Sequence, residues 1–473
     1  MDNLKTKILS FLFGYYRLCV VNDKDGFFTK QEVQNWFADA GVVFEHGSQF
    51  QFRLMYELRY KTDTDNKYCF ISEENFQVLP DIRRCSNIVT FSFSSFFPAY
   101  HKPSLLSASV SVLEKLYSRP QVKTLNMMET TTLIAQLEEQ QDPVDDIIRK
   151  LSQVTGGQLE ECLVEVGEYI VEALERDDYA KIEKEIDRIN SEWQQGLEER
   201  YFGQVLPSSY LSAPSYVGNV LNHIHSNYKN DLVALVVVDG LSFWQYLILR
   251  KALPGSLNIQ DSHIYSWIPS ITMLSRQSIF RGTVPMRDYK QNPQNEEKLW
   301  FDYWTNHGFK NDEIGYEYNV LGEFCGTTKR LAYVTVKLDE KMHASENNRE
   351  LFLLTQNWAS SFAKDIKRLI DAEYKVFLTT DHGNVESEGW RKLTSQEKVY
   401  VYGDGSRGMR HLIYDDTHGM DELYEQMDHD QVWRHDDWMV WRNRKSFSSS
   451  GCQEITHGGC HFLEVLIPFI KIM

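Results

Sequence analysis

The sequence predicts an α/β protein of three parts, the last of them a doubly wound parallel sheet. Two observations carry that expectation. Leu232-Val-Ala-Leu-Val-Val-Val238 is almost uniformly apolar and β-branched, and the signature returns in Leu331-Ala-Tyr-Val-Thr-Val336 and Tyr374-Lys-Val-Phe-Leu-Thr-Thr380. Strands covered on both faces of a parallel sheet read this way. Phe362–Ile370, just ahead of the third run, has helical spacing and fits a crossover helix.

A chain of 473 residues is too long for one ordinary core. Residues 1–102 read as a small α/β domain, with a strand at Leu18-Cys-Val-Val21, a helix over Lys30–Ala38, a strand at Gly41-Val-Val-Phe44 and a helix over Phe50–Tyr60. Residues 103–200 turn helical, through Leu105–Leu116, Met128–Gln140, Val144–Ser152 and the Glu- and Lys-rich stretch Glu160–Leu197. They are expected to form a connector domain. Pro207, Ser208, Ser209 and Pro214 mark a linker within Tyr201–Ser215, and 201–473 is the third domain.

Lys and Arg number 50 against 67 Asp and Glu, a formal charge of -17. So acidic a surface repels nucleic-acid phosphates on average and counts against a protein that coats DNA. It leaves room for an enzyme that takes one phosphodiester into a locally cationic site. The 7 cysteines are sparse and form no CxxC pair, so neither a disulfide framework nor a cysteine zinc site is expected. No apolar run approaches the roughly 20 residues of a membrane span, and the Ile8–Leu12 patch has no small-residue cleavage site beside it. A cytoplasmic protein without membrane contact is the expectation.

The chemistry is expected just beyond the three apolar runs. The first leads into Asp239-Gly240, the second into Asp339 with His343 four residues later, the third into Asp381-His382-Gly383. In open parallel sheets ligands collect at the carboxyl ends of strands, so three acids placed there converge. Asp339 and His343 share one side of a helical turn. Imidazole from His382 suits zinc or manganese better than magnesium. Ser270, Thr272 and Ser275 follow Pro269 at a predicted helix start, where backbone N–H groups receive phosphate oxygens, and all three stand as candidate nucleophiles. Arg276, one turn on, is a candidate phosphate clamp. Each feature alone is more often a turn former or helix cap, and it is their convergence that points to a metal site.

Taken together, Asp239-Gly, Pro269-Ser-Ile-Thr272…Arg276…Gly282, Asp339-x-x-x-His343, Asp381-His382-Gly and Thr456-His457-Gly-Gly459 resemble the alkaline phosphatase superfamily in kind and order. Pro-x-x-Thr-x-x-x-Arg and the tail His457-Gly-Gly…Glu464-Val-Leu-Ile-Pro468 resemble its PglZ-domain branch, known from bacterial anti-phage defence systems of the BREX type. The resemblance spans roughly 215–473. It implies an alkaline-phosphatase-like catalytic domain and a two-metal site. Asp239, Asp381, His382 and the nucleophile Thr272 would hold one ion, and Asp339, His343 and His457 the other. Zinc is the first choice of ion, manganese or magnesium the alternatives. The implied activity is a phosphodiesterase or nuclease on a nucleotide or nucleic-acid substrate, acting beside other proteins of a phage-defence system. A phosphomonoesterase or phosphomutase, or a non-catalytic scaffold, is the alternative. The absence of Cys from the nucleophile segment disfavours sulfate esters.

Other features carry less. Asp23-Lys-Asp25-Gly26 lacks the remaining ligands of a calcium loop and reads as a turn. Asp415–Trp441, with His418, His429 and His435, matches no compact metal site and is expected to cap the crevice. Arg407, Arg410 and His411 are candidate phosphate contacts. Lys115–Lys123, Arg442–Lys445 and the Glu-rich helices of 160–200 read as solvated surface, with a docking arm for partner proteins the alternative for those helices.

Overall fold

The computed structural model describes residues 4–38, 40–63, 65–73, 77–119, 123–139, 143–323, 325–399, 401, 410–414 and 417–473. The chain divides into two compact units, Met1–Ser152 and Gln153–Met473.

In the first unit β1 (Leu18–Asp23), β2 (Val42–Gly47), β3 (Lys67–Ser72) and β4 (Ser86–Phe91) form a parallel sheet in the order β2-β3-β1-β4. Successive side chains point to opposite faces. Leu18, Val20, Tyr68 and Phe70 therefore enter one core with Phe52, Tyr56 and Tyr60, while Cys19, Val21, Cys69 and Ile71 enter another. The helices Val110–Ser118 and Met127–Glu139 bury Leu113, Leu116, Ile134 and Leu137 in that second core. The helical stretch expected over 103–200 is thus parted: its helices as far as Leu151 stand in the first unit, those from Leu163 in the second. Within it the predicted helix Leu105–Leu116 breaks, because Ser109 Oγ accepts from Val112 N (3.4 Å) and caps a new helix. Asp23–Gly26 is a turn whose Asp23 Oδ2 accepts from Phe28 N (2.7 Å).

The second unit contains β5 (Val233–Val238), β6 (Ile259–Gln260), β7 (His263–Tyr265), β8 (Ile314–Tyr318), β9 (Arg330–Thr335), β10 (Lys375–Thr379), β11 (Val385–Gly389), β12 (His411–Ile413), β13 (Val432–His435), β14 (Trp438–Trp441), β15 (Lys445–Ser446), β16 (Gln453–Thr456) and β17 (Leu466–Ile472). The main sheet runs β6-β17-β10-β5-β9-β8, with β7 also on β17. β8, β9, β5 and β10 are parallel neighbours and β17 is antiparallel to β10. The three predicted central strands are β5, β9 and β10, and every residue of β5 and β9 is buried. The predicted crossover helix lies inside Asn348–Asp371, which packs on Phe243–Ala252 and Leu163–Glu175.

The acidic stretch after Glu160 is two helices, Leu163–Glu175 and Tyr179–Trp193, parted where Asp177 takes φ 62°. It is not simply a solvated face. Arg444 of the basic stretch 442–445 donates to Glu183 (2.7 Å) and to both oxygens of Asp187 (2.9 Å). Gln194 Nε2 donates to Arg442 O (2.9 Å) and Cys460 O (2.8 Å), and Phe462 N donates to Asn190 Oδ1 (3.1 Å). The acidic helix therefore buttresses the segment that follows His457. β12, β14 and β13 form a small sheet with its own core of Leu412, Met420, Met439 and Trp441. Asp415 and Arg407 lie outside the described residues. Among the described residues no helix is long and apolar enough to cross a membrane.

Candidate metal centre

Along the chain β5 comes first, β8 and β9 are then laid on one side of it and β10 on the other, so β5 lies at a switch point, where crevices open at strand carboxyl ends. Asp239 follows β5, Asp381 follows β10, and Asp339 and His343 sit on the helix Lys337–Ala344 that follows β9. Gly240 lets these approach. It holds φ +73°, a Cβ on it would lie 3.3 Å from Asp339 Oδ1, and its N–H donates to Asp381 Oδ1 (3.2 Å).

Two overlapping groups result, Asp339 with His343 and His457, and Asp239 with Asp339 and His382, each with ligand atoms within 4.8 Å of one another. Asp381 joins through its Oδ2, 3.6 Å from His382 Nε2. His382 and His457 stack with ring centroids 3.7 Å apart. All seven residues predicted as ligands or nucleophile are brought together. Asp339 stands within reach of both groups, whereas the resemblance assigned it to one ion alone.

The three candidate hydroxyls separate cleanly. Ser270 Oγ donates to Gly459 O (2.8 Å) and accepts from Gly458 N (3.1 Å). Ser275 Oγ is buried against Ser266 Oγ (3.0 Å). Thr272, first residue of the helix Thr272–Arg281, places Oγ1 3.0 Å from His382 Nε2. It is the hydroxyl at the cluster.

Arg276 stands elsewhere than expected. It is only 3% exposed; Nε and Nη2 donate to the two oxygens of Glu296 (2.7 Å each), and Nη1 donates to Asp239 Oδ2 (2.9 Å). This guanidinium is committed to carboxylates inside the protein. Arg410 is likewise buried, forked onto Glu464 (2.9 and 2.8 Å), which also accepts from Gly459 N (2.9 Å) and His461 N (3.1 Å). Arg410 therefore shapes the turn after His457. Asn384 was not anticipated; its Nδ2 donates to Gly240 O (2.9 Å) and Gln245 Oε1 (2.8 Å), tying the loops that carry Asp239 and Asp381. Glu296 lies in none of the motifs above, whereas Asn384 directly follows Asp381-His382-Gly383, and that adjacency is the signal that could have marked it.

The cluster is short of positive charge. Burial, then the neighbouring carboxylates of Asp381 and Asp339, push the Asp239 carboxyl well up, and burial raises Asp339 to about 6. Burial would lower His382, but Asp381, Asp239 and Asp339 outweigh it and raise the ring. Burial and then His382 hold His457 well below the usual range, and lower His343 as well. Asp239 Oδ1, Asp339 Oδ1 and Asp381 Oδ2 are buried with no hydrogen-bond partner. A mixed carboxylate and imidazole set with such oxygens fits divalent cations of the zinc or manganese type.

A scan against protein families matches residues 219–472, more than half of the chain, to the BREX system PglZ alkaline phosphatase-like domain. No curated protein matches the chain. Similar solved structures include murine ectonucleotide pyrophosphatase/phosphodiesterase 5, 11% identical with a TM-score of 0.36 over 51% of this chain and 88% of that one. Another is phosphonoacetate hydrolase from Sinorhizobium meliloti 1021 in complex with phosphonoacetate, 12% identical with a TM-score of 0.33 over 51% and 89%.

Proposed function

We propose, from the premise that the chain belongs to the PglZ family of alkaline phosphatase-like domains, that it is a metal-dependent phosphodiesterase with Thr272 as nucleophile. The observation that carries this is the 3.0 Å contact of Thr272 Oγ1 with His382 Nε2, made by none of the other candidate hydroxyls. Asp239, Asp381, His382 and Thr272 would hold one ion and Asp339, His343 and His457 the second. Such ions, zinc first, supply Lewis-acid charge at phosphoryl oxygens and favour a hydroxyl as its alkoxide.

Thr272 Oγ1 attacks phosphorus, the ester bond to the leaving oxygen breaks, and the phosphoryl group rides on Thr272 until water removes it. First-turn amides of the helix Thr272–Arg281 have no carbonyl partner within that helix and can receive a phosphoryl oxygen. Arg276, committed to Glu296 and Asp239, adds no free cation for a dianion. That favours a substrate of one negative charge, a diester such as a nucleotide or nucleic-acid linkage. In this reading the protein works in the cytoplasm beside other proteins of a BREX anti-phage system.

Hydrolysis of bis(p-nitrophenyl) phosphate and of p-nitrophenyl phosphate, with zinc or manganese, tests the reading. Faster turnover of the diester, lost in Thr272→Ala, is expected. Faster turnover of the monoester would make the protein a monoesterase. A metal-loaded chain that turns over neither would make it a scaffold.

A further inference from the structure

Arg276 and Glu296 form an ion pair 3% and 0% exposed beside a metal-ligand carboxylate. A buried pair stabilises a fold little compared with apolar packing of the same volume, so its position calls for another role. Glu296 leaves the guanidinium no freedom. Its two oxygens take Nε and Nη2 in a fork, Oε1 also accepts from Tyr316 OH (2.7 Å), and Oε2 from Gln291 Nε2 (2.6 Å). The remaining donor of this set, Nη1, reaches Asp239 Oδ2, while Asp239 Oδ1 lies 3.6 Å from His382 Nε2.

We propose that Glu296 is a positioning residue of the metal centre, acting through Arg276 to fix which oxygen of Asp239 faces the ions. The inference rests on the two-ion reading above. Three elements meet in this relay: Glu296 lies on the helix Pro293–Asn306, Arg276 on the helix that begins with Thr272, and Asp239 at the end of β5. One fork thus sets the carboxylate and anchors the nucleophile's helix to it. Glu296 has a second effect. It neutralises Arg276, so the guanidinium does not repel a cation held by Asp239. Removing the Glu296 charge therefore weakens ion binding, although Glu296 touches no ion.

The test uses the full chain and its Glu296→Gln, Tyr316→Phe and Asp239→Asn variants, titrated with Zn²⁺ against a chromophoric chelator and with Co²⁺ for its d–d spectrum. Glu296→Gln is expected to stay folded by circular dichroism, bind one equivalent about 10–100-fold more weakly and shift the cobalt bands. Tyr316→Phe keeps the charge and loses one donor, with an expected weakening of about 2–5-fold. Wild-type affinity and an unchanged cobalt spectrum in Glu296→Gln, with an equivalent lost in Asp239→Asn, would overturn the relay and leave the two-ion reading standing. If Glu296→Gln does not fold, Tyr316→Phe decides, and unchanged binding there overturns the relay. A wild-type chain that binds neither ion, or an Asp239→Asn chain that binds both normally, sinks the two-ion reading itself and the relay with it.

Discussion

His382 and His457 lie face to face, their rings 3.7 Å apart and within 10° of parallel. Each presents Nδ1 to a backbone carbonyl, His382 to Gly383 O and His457 to Ser270 O, both at 3.0 Å. A carbonyl only accepts, so both Nδ1 atoms carry hydrogen and each neutral ring keeps its Nε2 lone pair for a ligand. Backbone partners of this kind orient metal-binding imidazoles. The two rings belong to different groups, so on the proposed two-ion reading His382→Ala and His457→Ala should each lower the metal content from about two ions per chain to about one. Elemental analysis after dialysis checks this; loss of both ions in either variant would show one shared site.

The hydroxyls of the nucleophile segment should behave differently on deletion. Thr272→Ala removes the proposed attacking atom and is expected to cut kcat by about 10³-fold or more with little change in melting temperature. Ser270→Ala leaves Gly458 N and Gly459 O without their partner and should cost about 1–3 kcal/mol of stability. Steady-state kinetics and thermal melts on the same preparations separate the two. Equal loss of activity in Ser270→Ala with an unchanged melt would move the nucleophile to Ser270.

How far the centre was legible follows from burial. β5, β9 and β10 are almost wholly buried, so their runs read as largely apolar and the acids beyond their ends stood out. Arg276 shows the limit. Its place one turn after Thr272 was visible, but its partner Glu296 arrives from a separate helix, and only the fold reveals that the guanidinium is occupied. The helices of 103–200 carry an apolar stripe that states burial without naming the core, which is why their division at Ser152 could not be read. β17 was missed for a different reason. Pro468 interrupts it and argues against a strand, yet its carbonyl accepts from Thr379 Oγ1 (2.9 Å) on β10 while its missing N–H is tolerated.

Gly383 should tolerate no side chain. A Cβ there would lie 1.9 Å from Leu463 O, a backbone atom that moves only with its chain, and Gly383 N already donates to Glu464 O (2.9 Å). Gly383→Ala is expected to cost about 3 kcal/mol, since Leu463–Glu464 must shift. Gly255→Ala, with nothing within 4 Å of its Cβ, is the control and should stay within about 0.5 kcal/mol. Urea midpoints of the two variants check the difference; equal midpoints would mean that the tail segment adjusts freely.

Glu160 gives the second unit a dependence on acid. Its carboxylate accepts from Tyr265 OH, from Trp193 Nε1 (3.3 Å) and pairs with His263 Nε2 (3.3 Å). Burial pushes the carboxyl up, but the bonds from His263 and Tyr265 prevail and bring it down to about 2 from an ordinary 4.5. A depressed carboxyl stabilises the fold fully above its unfolded value and loses that contribution as pH falls towards the folded one. The window is therefore pH 4.5 down to 2. At pH 7 Glu160→Gln should cost about 1.5–3 kcal/mol, the range for hydrogen bonds to a charged group. Below pH 4.5 the wild-type chain should lose stability more steeply than the variant, and the two curves should converge near pH 2. Urea denaturation at several pH values reads this directly. A gap that stays constant from pH 7 to 2 would show that Glu160 acts there through shape and neutral hydrogen bonds, with its charge contributing nothing.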